Sequence, residues 1–502
     1  MAHSTFSRYI EPAAGKNPFR QKSYSRQAIP VFSEAKARLP EPELPDHPEW
    51  VEMYWRAWEI AWSNLRQPKA DSGFVANFIG QGAQDEIFMW DSAFAVLFGL
   101  YGRRQFDFMG TLDNFYAKQH EDGFICRQIN WSSGQDFFHP FDPNGTGPNV
   151  LAWAEWHYFR ATGDDGRLAD VFWPLLALHR WFRAHRSWPS GLYWATGLSS
   201  GMDNQPRVPD SMLRHRHWSW VDASMQAAVS CRVLEQMATA LSQPELAAEL
   251  SAERSQLAQL INARMWHEEA KFYQDVSPDG RFSKVKSIGA YWGLLVSSLT
   301  PPDRLAPFVQ HLRDNWAFNV PHRIPSQAAD SEGYNAETGH SWRGAVWSPT
   351  NYMVLKGLRN VGQPILAHEI AVNHVRNVCE TYLHTDTFWE NYAPESAAPG
   401  EPAKPDFVGW TGLTPIAILL EDVIGLSVDW PLRRVTWDRR LATNGRYGVR
   451  RYPLGNEGTA TLLGDRETVT VTTDVPFTLT IRDDEQSLQT AVPAGETEIS
   501  LT

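Results

Sequence analysis

From His47 to about Gly425, apolar residues recur at three-to-four-residue spacing, a period that predicts a helical body. Twelve segments carry it, near 49–65, 91–102, 106–119, 149–162, 168–186, 222–241, 245–267, 288–298, 302–314, 344–359, 364–382 and 411–424. In EWVEMYWRAWEIAWSNL, the period places Val51, Trp55, Trp58 and Trp62 on one face, with Glu52, Arg56 and Glu59 turned away. LSQPELAAELSAERSQLAQLINARMW has a proline near its start and then good helix formers. Alternating short and long connections between twelve helices predict six antiparallel hairpins, a set that closes into an (α/α)6 barrel with a funnel of loops at one end. No heptad array or short repeat points to a solenoid. Residues 1–45 are polar and proline-dotted, and are expected to form an irregular arm ahead of a barrel spanning 46–426. Beyond that the period falls to two, with Val469 and Val471, then Phe477, Leu479 and Ile481, predicting a small β-sandwich-like domain over 427–502. It has no catalytic-looking cluster, and its expected place is on the barrel's flank or the funnel rim.

The long connections are richer in chemistry than the helices. Residues 120–148, 187–221, 320–342 and 383–410 combine aromatic, carboxylate, Asn, Arg and Gly residues, a composition unlike that of disorder. Aromatic residues make up 13% of the chain and include 23 tryptophans, most expected in the core and about a third along a cleft, where flat apolar faces suit sugar rings. A net charge of −12 without basic runs argues against a nucleic-acid or anionic-membrane partner. The three cysteines, Cys126, Cys231 and Cys379, are too few and scattered for a disulfide framework or a zinc site. With no apolar leader and no window long enough to span a membrane, the expected compartment is a reducing cytoplasm.

Five constellations could carry a reaction. In GLSSGMDNQPRVPDS, Asp203 sits in a Gly- and Asn-rich loop with Asn204 and Arg207 close behind, although Asp before Asn also reads as a simple Asx turn. In HTDTFWENYAPES, Glu390 lies between Trp389 and Tyr392. Aromatic neighbours desolvate a carboxylate and make it a better proton acceptor near neutrality. A capping or ion-paired Glu fits equally, and Glu395 competes for the same role. In GHSWRGAVWSPTNYMVLKGL, Trp342, Trp347 and Tyr352 flank Arg343, whose place at a helix start opposes the macrodipole and suggests a carboxylate or ligand partner. In QDEIFMWDSAFAVLFGL, Asp91 after Trp90 is either an N-cap or a group pointing into the funnel. The stretch 122–156 offers Arg127, Gln128, Asn149 and Trp153 as polar and stacking groups. Phosphate-loop, nucleophile-elbow and zincin motifs are all missing, which disfavours those chemistries.

Taken in order, these segments resemble the inverting glycosidases of the trehalase clan. The likeness is greatest to glycoside hydrolase family 63, with its bacterial mannosylglycerate- and glucosylglycerate-hydrolase-like members, and covers roughly residues 70–425. FMWDSAF looks like that family's entry to an early helix, SWRGAVWSPTNYMV like its W-R-G-x-x-W segment, and GWTGLTP like its closing segment at Trp410. SGMDNQPR is similar to the general-acid loop, which implies Asp203 as acid, and FWENYAPES to the general-base loop, which implies Glu390 as base. The chain departs where His340-Ser341 precede Trp342, a place where the family has an aromatic residue, and in carrying a C-terminal β domain that the shortest members lack.

The resemblance implies an exo-acting α-glycosidase that inverts the anomeric centre of a small α-glucoside or α-mannoside, with the two carboxyl groups on opposite faces of the sugar. Trp90, Asp91, Arg127, Gln128, Asn149, Trp153, Asn204, Arg207, Trp342, Arg343, Trp347, Tyr392 and Trp410 are the expected substrate-binding set. A glycerate aglycone would call for a cation, and Arg127 or Arg207 could supply it. The reaction calls for no metal or other cofactor, and a small carbohydrate is the one expected partner. A sugar epimerase on a similar barrel would rely on cavity histidines, and a carbohydrate-binding protein without activity would not need both carboxylates.

Overall fold

The computed structural model describes residues 9–80, 85–483 and 487–501. Mainly helical to residue 423 and sheet beyond it, the chain places an element at each of the twelve predicted segments, with ends shifted by a few residues. Helix Pro48–Ser63 buries Trp50, Met53, Tyr54, Ala57, Trp58 and Ala61, so its core face is rotated about one position from the expected one and Val51 and Trp55 sit at its margin. Among the described residues no helix is long and apolar enough to cross a membrane.

Burial separates two kinds of helix. MWDSAFAVLFG, residues Met89–Gly99, is apolar almost all round and buries nearly every side chain, as a helix covered on every side must. Pro244–Arg264 is charged over most of its surface and buries only Leu250, Leu257 and Ile261. The covered elements pack on one another in succession. Met89–Gly99 meets Leu151–Thr162, which meets Val221–Ala240, then Ile288–Leu295, then Ser348–Asn360, then Trp410–Leu413, which returns to Met89–Gly99. Where one last helix was expected, a turn of 3-10 helix runs into a wide-turn π segment, Thr414–Val423.

Among the described residues the C-terminal strands lie in two sheets, one of four strands and one that a strand from the N-terminal arm completes to five. Val469, Val471, Phe477, Leu479 and Ile481, the residues on the period-two pattern, are all buried. The N-terminal arm is more ordered than its composition suggests. It contains helix Phe32–Lys36 and a strand, Glu41–Glu43, that pairs antiparallel with Tyr447–Leu454 at the edge of the five-stranded sheet. Pro42 fits because an edge strand need not donate on its outer side.

Candidate active site

Helix Met89–Gly99 begins directly behind strand Glu86–Phe88, which pairs with Gln128–Asn130. Phe88 is its N-cap, so Asp91 is in the first turn and does not cap it; the N-cap expectation is corrected. The Asp91 side chain instead lines a cavity of about 250 Å3 that also takes in Trp90, Arg127, Asp203, Trp342, Trp347, Glu390 and Trp410. Four of the 23 tryptophans therefore face it, fewer than the third expected.

Asp203 is carried by a short turn that the sequence builds tightly. Helix Gly197–Ser200 opens with a reciprocal capping box between Thr196 and Ser199 and closes at left-handed Gly201 (φ 75°). A Cβ on Gly197 would fall 2.1 Å from the Asp203 carbonyl oxygen, so only glycine allows that approach. Asn204 clamps the Asp203 loop to the tryptophan loop: its Oδ1 accepts from the Trp342 N–H (2.9 Å) and its Nδ2 donates to the His340 carbonyl (2.9 Å). Behind it, Arg207 forks onto Asp222 and Asp275, with all three side chains buried.

Glu390 enters from another loop. Its N–H donates to the Lys404 carbonyl (2.9 Å), and its own carbonyl accepts from Trp410 Nε1 (3.1 Å). Reciprocal backbone bonds between Val346 and Tyr392 tie this loop to the one bearing Trp342 and Trp347. Those two indoles stack with centroids 3.9 Å apart. Consecutive left-handed residues, His340 and Ser341, turn the chain so that Ser341 joins the cavity wall, at the place where the sequence departs from the family's aromatic residue.

Burial raises the pKa of each of the three carboxyl groups. Asp91 is pushed up to about 8, by burial and then by the Glu390 charge. Asp203 is raised by burial, with Arg127 opposing. Glu390 is raised by burial, opposed by Lys404, whose Nζ lies 4.0 Å from Oε1, and reinforced by the Asp203 charge. The arrangement holds a proton at neutrality on at least one carboxyl group while a cation favours ionisation of another, the pairing that acid–base catalysis needs.

Seven of the expected residues lie off this cavity. Arg207 is neutralised by its two aspartates and is not available to a glycerate carboxylate. Gln128 donates to Glu86 Oε2 (2.8 Å) from within its strand. Asn149 is buried beside Ser199 and Gln226, and Trp153 among Phe94, Trp292 and Tyr352. Tyr392 is buried, its hydroxyl accepting from the Trp389 N–H. Asn204 acts through the clamp already described. Arg343 precedes helix Ser348–Asn360 by several residues and lines an adjoining open cleft with Asn204 and His340, so it does not oppose that helix's dipole at its first turn. Glu395 is exposed and accepts from Tyr334, outside the cavity. Sequence reasoning missed Lys404, Phe407 and Phe88, whereas Ser341 falls at the departure noted ahead of Trp342. The first two fall within the suspect stretch 383–410, but nothing in their spacing marks them.

Residues 85–411 match the family described as the mannosylglycerate hydrolase MGH1-like glycoside hydrolase domain. A probable mannosyl-oligosaccharide glucosidase of Schizosaccharomyces pombe is 27% identical over 279 residues, covering 49% of this chain and 34% of its own. An uncharacterized protein of Borreliella burgdorferi is 23% identical over 70% of this chain and 75% of its own. Among solved structures, the family 63 mannosylglycerate hydrolase of Thermus thermophilus in complex with Tris superposes with a TM-score of 0.58 at 21% identity, over 72% of this chain and 99% of that one. With residues 85–411 matched, nearly two thirds of its length, the chain belongs to the mannosylglycerate hydrolase MGH1-like family of glycoside hydrolases.

Proposed function

We propose that the protein is an exo-acting, inverting α-glycosidase in which Asp203 protonates the leaving oxygen and Glu390 deprotonates the attacking water. The observation that carries this reading is that Asp203 and Glu390, brought in by separate loops, line one tryptophan-walled cavity, close enough for the Asp203 charge to act on Glu390. Burial raises both groups and each faces one cation, Arg127 at Asp203 and Lys404 at Glu390, so the division of roles follows the likeness of their loops to the family's acid and base loops. Asp91 and Arg127 would hold sugar hydroxyls, and Trp90, Trp342, Trp347 and Trp410 would stack on the ring. A cavity of about 250 Å3 suits a single terminal sugar residue, which is why the action is read as exo.

The cyclic succession of six covered helical elements supports an (α/α)6 barrel over 46–426, preceded by an arm over 1–45 and followed by a β domain over 427–502. Three buried, unpaired cysteines suit a reducing, cytoplasmic setting. The Thermus relative has been crystallised with glucose and with D-glycerate, and a short glycoside such as a glucosyl- or mannosylglycerate is the substrate class we favour. A histidine-based epimerase fits poorly, because no histidine lines the cavity among the described residues.

The test is a panel of α-glucosides and α-mannosides, glycosylglycerates included, followed by NMR from the first turnover. The expected result is a released sugar that first appears as the β-anomer. First appearance of the α-anomer would overturn the inverting assignment, and a panel with no hydrolysis would overturn the substrate class.

A further inference from the structure

A second and larger cavity, of about 530 Å3, lies at the far end of the helices that frame the tryptophan cavity, against the C-terminal strands. Helix Ser348–Asn360 begins just after Trp347 at one cavity and ends with Lys356, Arg359 and Asn360 at the other, which separates them by ~20 Å at 1.5 Å per residue. In a chain with a net charge of −12, the lining of this cavity runs the other way. Some of its cations are neutralised: Lys356 by Glu421 and Asp422, Arg359 by Asp422 and Asp438, Arg160 by Asp429.

Among the described residues, two part-buried arginines of the wall, Arg103 and Arg232, have no such partner, and neither has the exposed Arg482. Arg103 donates to the carbonyls of Leu100 and Gly455, and Arg232 to the carbonyl of Leu295; among the described residues no carboxylate pairs with either. The Arg103 Nε is buried with no hydrogen-bond partner among the described residues. Burial lowers both guanidinium pKa values, that of Arg103 to about 10, with the Glu235 charge opposing at Arg232. Helix C-termini account for cations such as Arg160 and Arg359, which close their helices. Arg232, in the middle of Val221–Ala240, and Arg103 reach across to helix ends as well, to the carbonyls of Leu295 and Leu100, with the rest of each guanidinium left to face the cavity. His157 on the same wall is held neutral by burial first, and then by the charges of Lys356, Arg160 and Arg232. The rest of the wall is aromatic, with Trp153, Trp156 and Tyr452 facing the same space.

Guanidinium forks set around an enclosed space match the oxygens of a phosphate group, and flat aromatic faces match a ring attached to it. We propose that this cavity is a binding site, separate from the glycosidase centre, for a small molecule carrying a phosphate ester on a ring of monosaccharide size. The excess cations supply the attraction and Arg232 is the principal anchor.

Calorimetric titration of the full chain with glucose 6-phosphate, inorganic phosphate and glucose, at low ionic strength, tests the site. Glucose 6-phosphate should bind saturably at one site and more tightly than inorganic phosphate, glucose should not compete for it, and affinity should fall as salt rises. Arg232→Gln should weaken binding at least tenfold, whereas Asp203→Asn should leave it unchanged. If Arg232→Gln does not fold, Arg160→Glu, on the exposed rim, should weaken binding by a similar factor. No saturable heat from either phosphate, unaltered affinity in these variants, or loss of binding in Asp203→Asn would each overturn the proposal. Equal affinity for inorganic phosphate and glucose 6-phosphate would overturn the aromatic half of it.

Discussion

Trp342 and Trp347 lie face to face, their ring planes within 1° and their centroids 3.9 Å apart, with four residues between them in the chain. Trp347 Nε1 donates to the Ser341 carbonyl (3.4 Å), so the pair is oriented by its own backbone. A wall assembled before substrate arrives has little ordering entropy left to lose on binding. Trp342→Ala removes the inner indole and should cost about 1.5–3 kcal/mol of apolar contact. Steady-state kinetics should register this as a ~10–100-fold fall in kcat/KM with circular dichroism unchanged. An unaltered kcat/KM would mean that the sugar sits elsewhere.

Asp203 and Glu390 are assigned different roles, and leaving-group dependence separates them. Asp203→Asn should lower kcat on a natural glycoside by ~10²–10⁴-fold, the usual contribution of one positioned acid or base. On an aryl glycoside whose phenol departs without protonation, most of that loss should vanish. Glu390→Gln should lose a comparable factor on both substrates, because water must still be deprotonated. The same pattern in both variants would reverse or abolish the assignment.

The pH profile follows from the charges around these groups. Under the proposed roles the active form has Glu390 ionised and Asp203 protonated, so kcat/KM should be bell-shaped, its acidic limb reporting Glu390 and its basic limb a carboxyl group held high by burial. Lys404 favours ionised Glu390, so Lys404→Met should raise the Glu390 pKa further and move the acidic limb to higher pH, leaving the basic limb in place. Lys404 is half-exposed, and salt screens such pairs, so raising ionic strength in the wild type should move that limb the same way by a smaller amount. A limb that moves to lower pH would place another group in the base's role.

The sequence carried most of the helical plan because a helix buried on one stripe must repeat its apolar positions, and a strand packed on one face must alternate them. Val469, Val471, Phe477, Leu479 and Ile481 were legible for the second reason. Strand Glu41–Glu43 was not, since three residues with a central proline have no period, and what makes them a strand is a partner some four hundred positions away. Trp153 looked like a stacking group because nothing local tells which way a tryptophan in a helix's first turn faces. Its neighbours Phe94 and Trp292 come from other helices and turn it away from the tryptophan cavity, toward the second one. Asp203 and Glu390 stood out through their aromatic and glycine-rich surroundings, whereas Lys404 has only its position in the fold to mark it.

Arg207 is the clearest case of a polar residue near an acid that serves the scaffold. Nε and Nη2 reach Asp275 at 2.8 and 2.6 Å, while Nη1 and Nη2 reach Asp222 at 2.7 and 2.8 Å. Asp275 Oδ1 also accepts from the Val221 N–H, which ties the start of helix Val221–Ala240 to the same knot. Arg207→Met leaves two buried carboxylates facing each other without a cation and should destabilise the fold by about 3–5 kcal/mol, read from urea unfolding at neutral pH. Arg207→Lys should recover only part of this, because an ammonium cannot fork onto both aspartates. In Arg207→Met the stranded carboxyl groups have raised pKa values in the folded state, so they take up protons more readily there than when unfolded. The deficit relative to wild type should therefore shrink as pH falls through those raised values and grow as it rises. Adding Asp222→Asn and Asp275→Asn to Arg207→Met should flatten that pH dependence, because no buried carboxylate then remains to titrate. A deficit equal at all pH values would show that Arg207 stabilises the acid loop by packing alone.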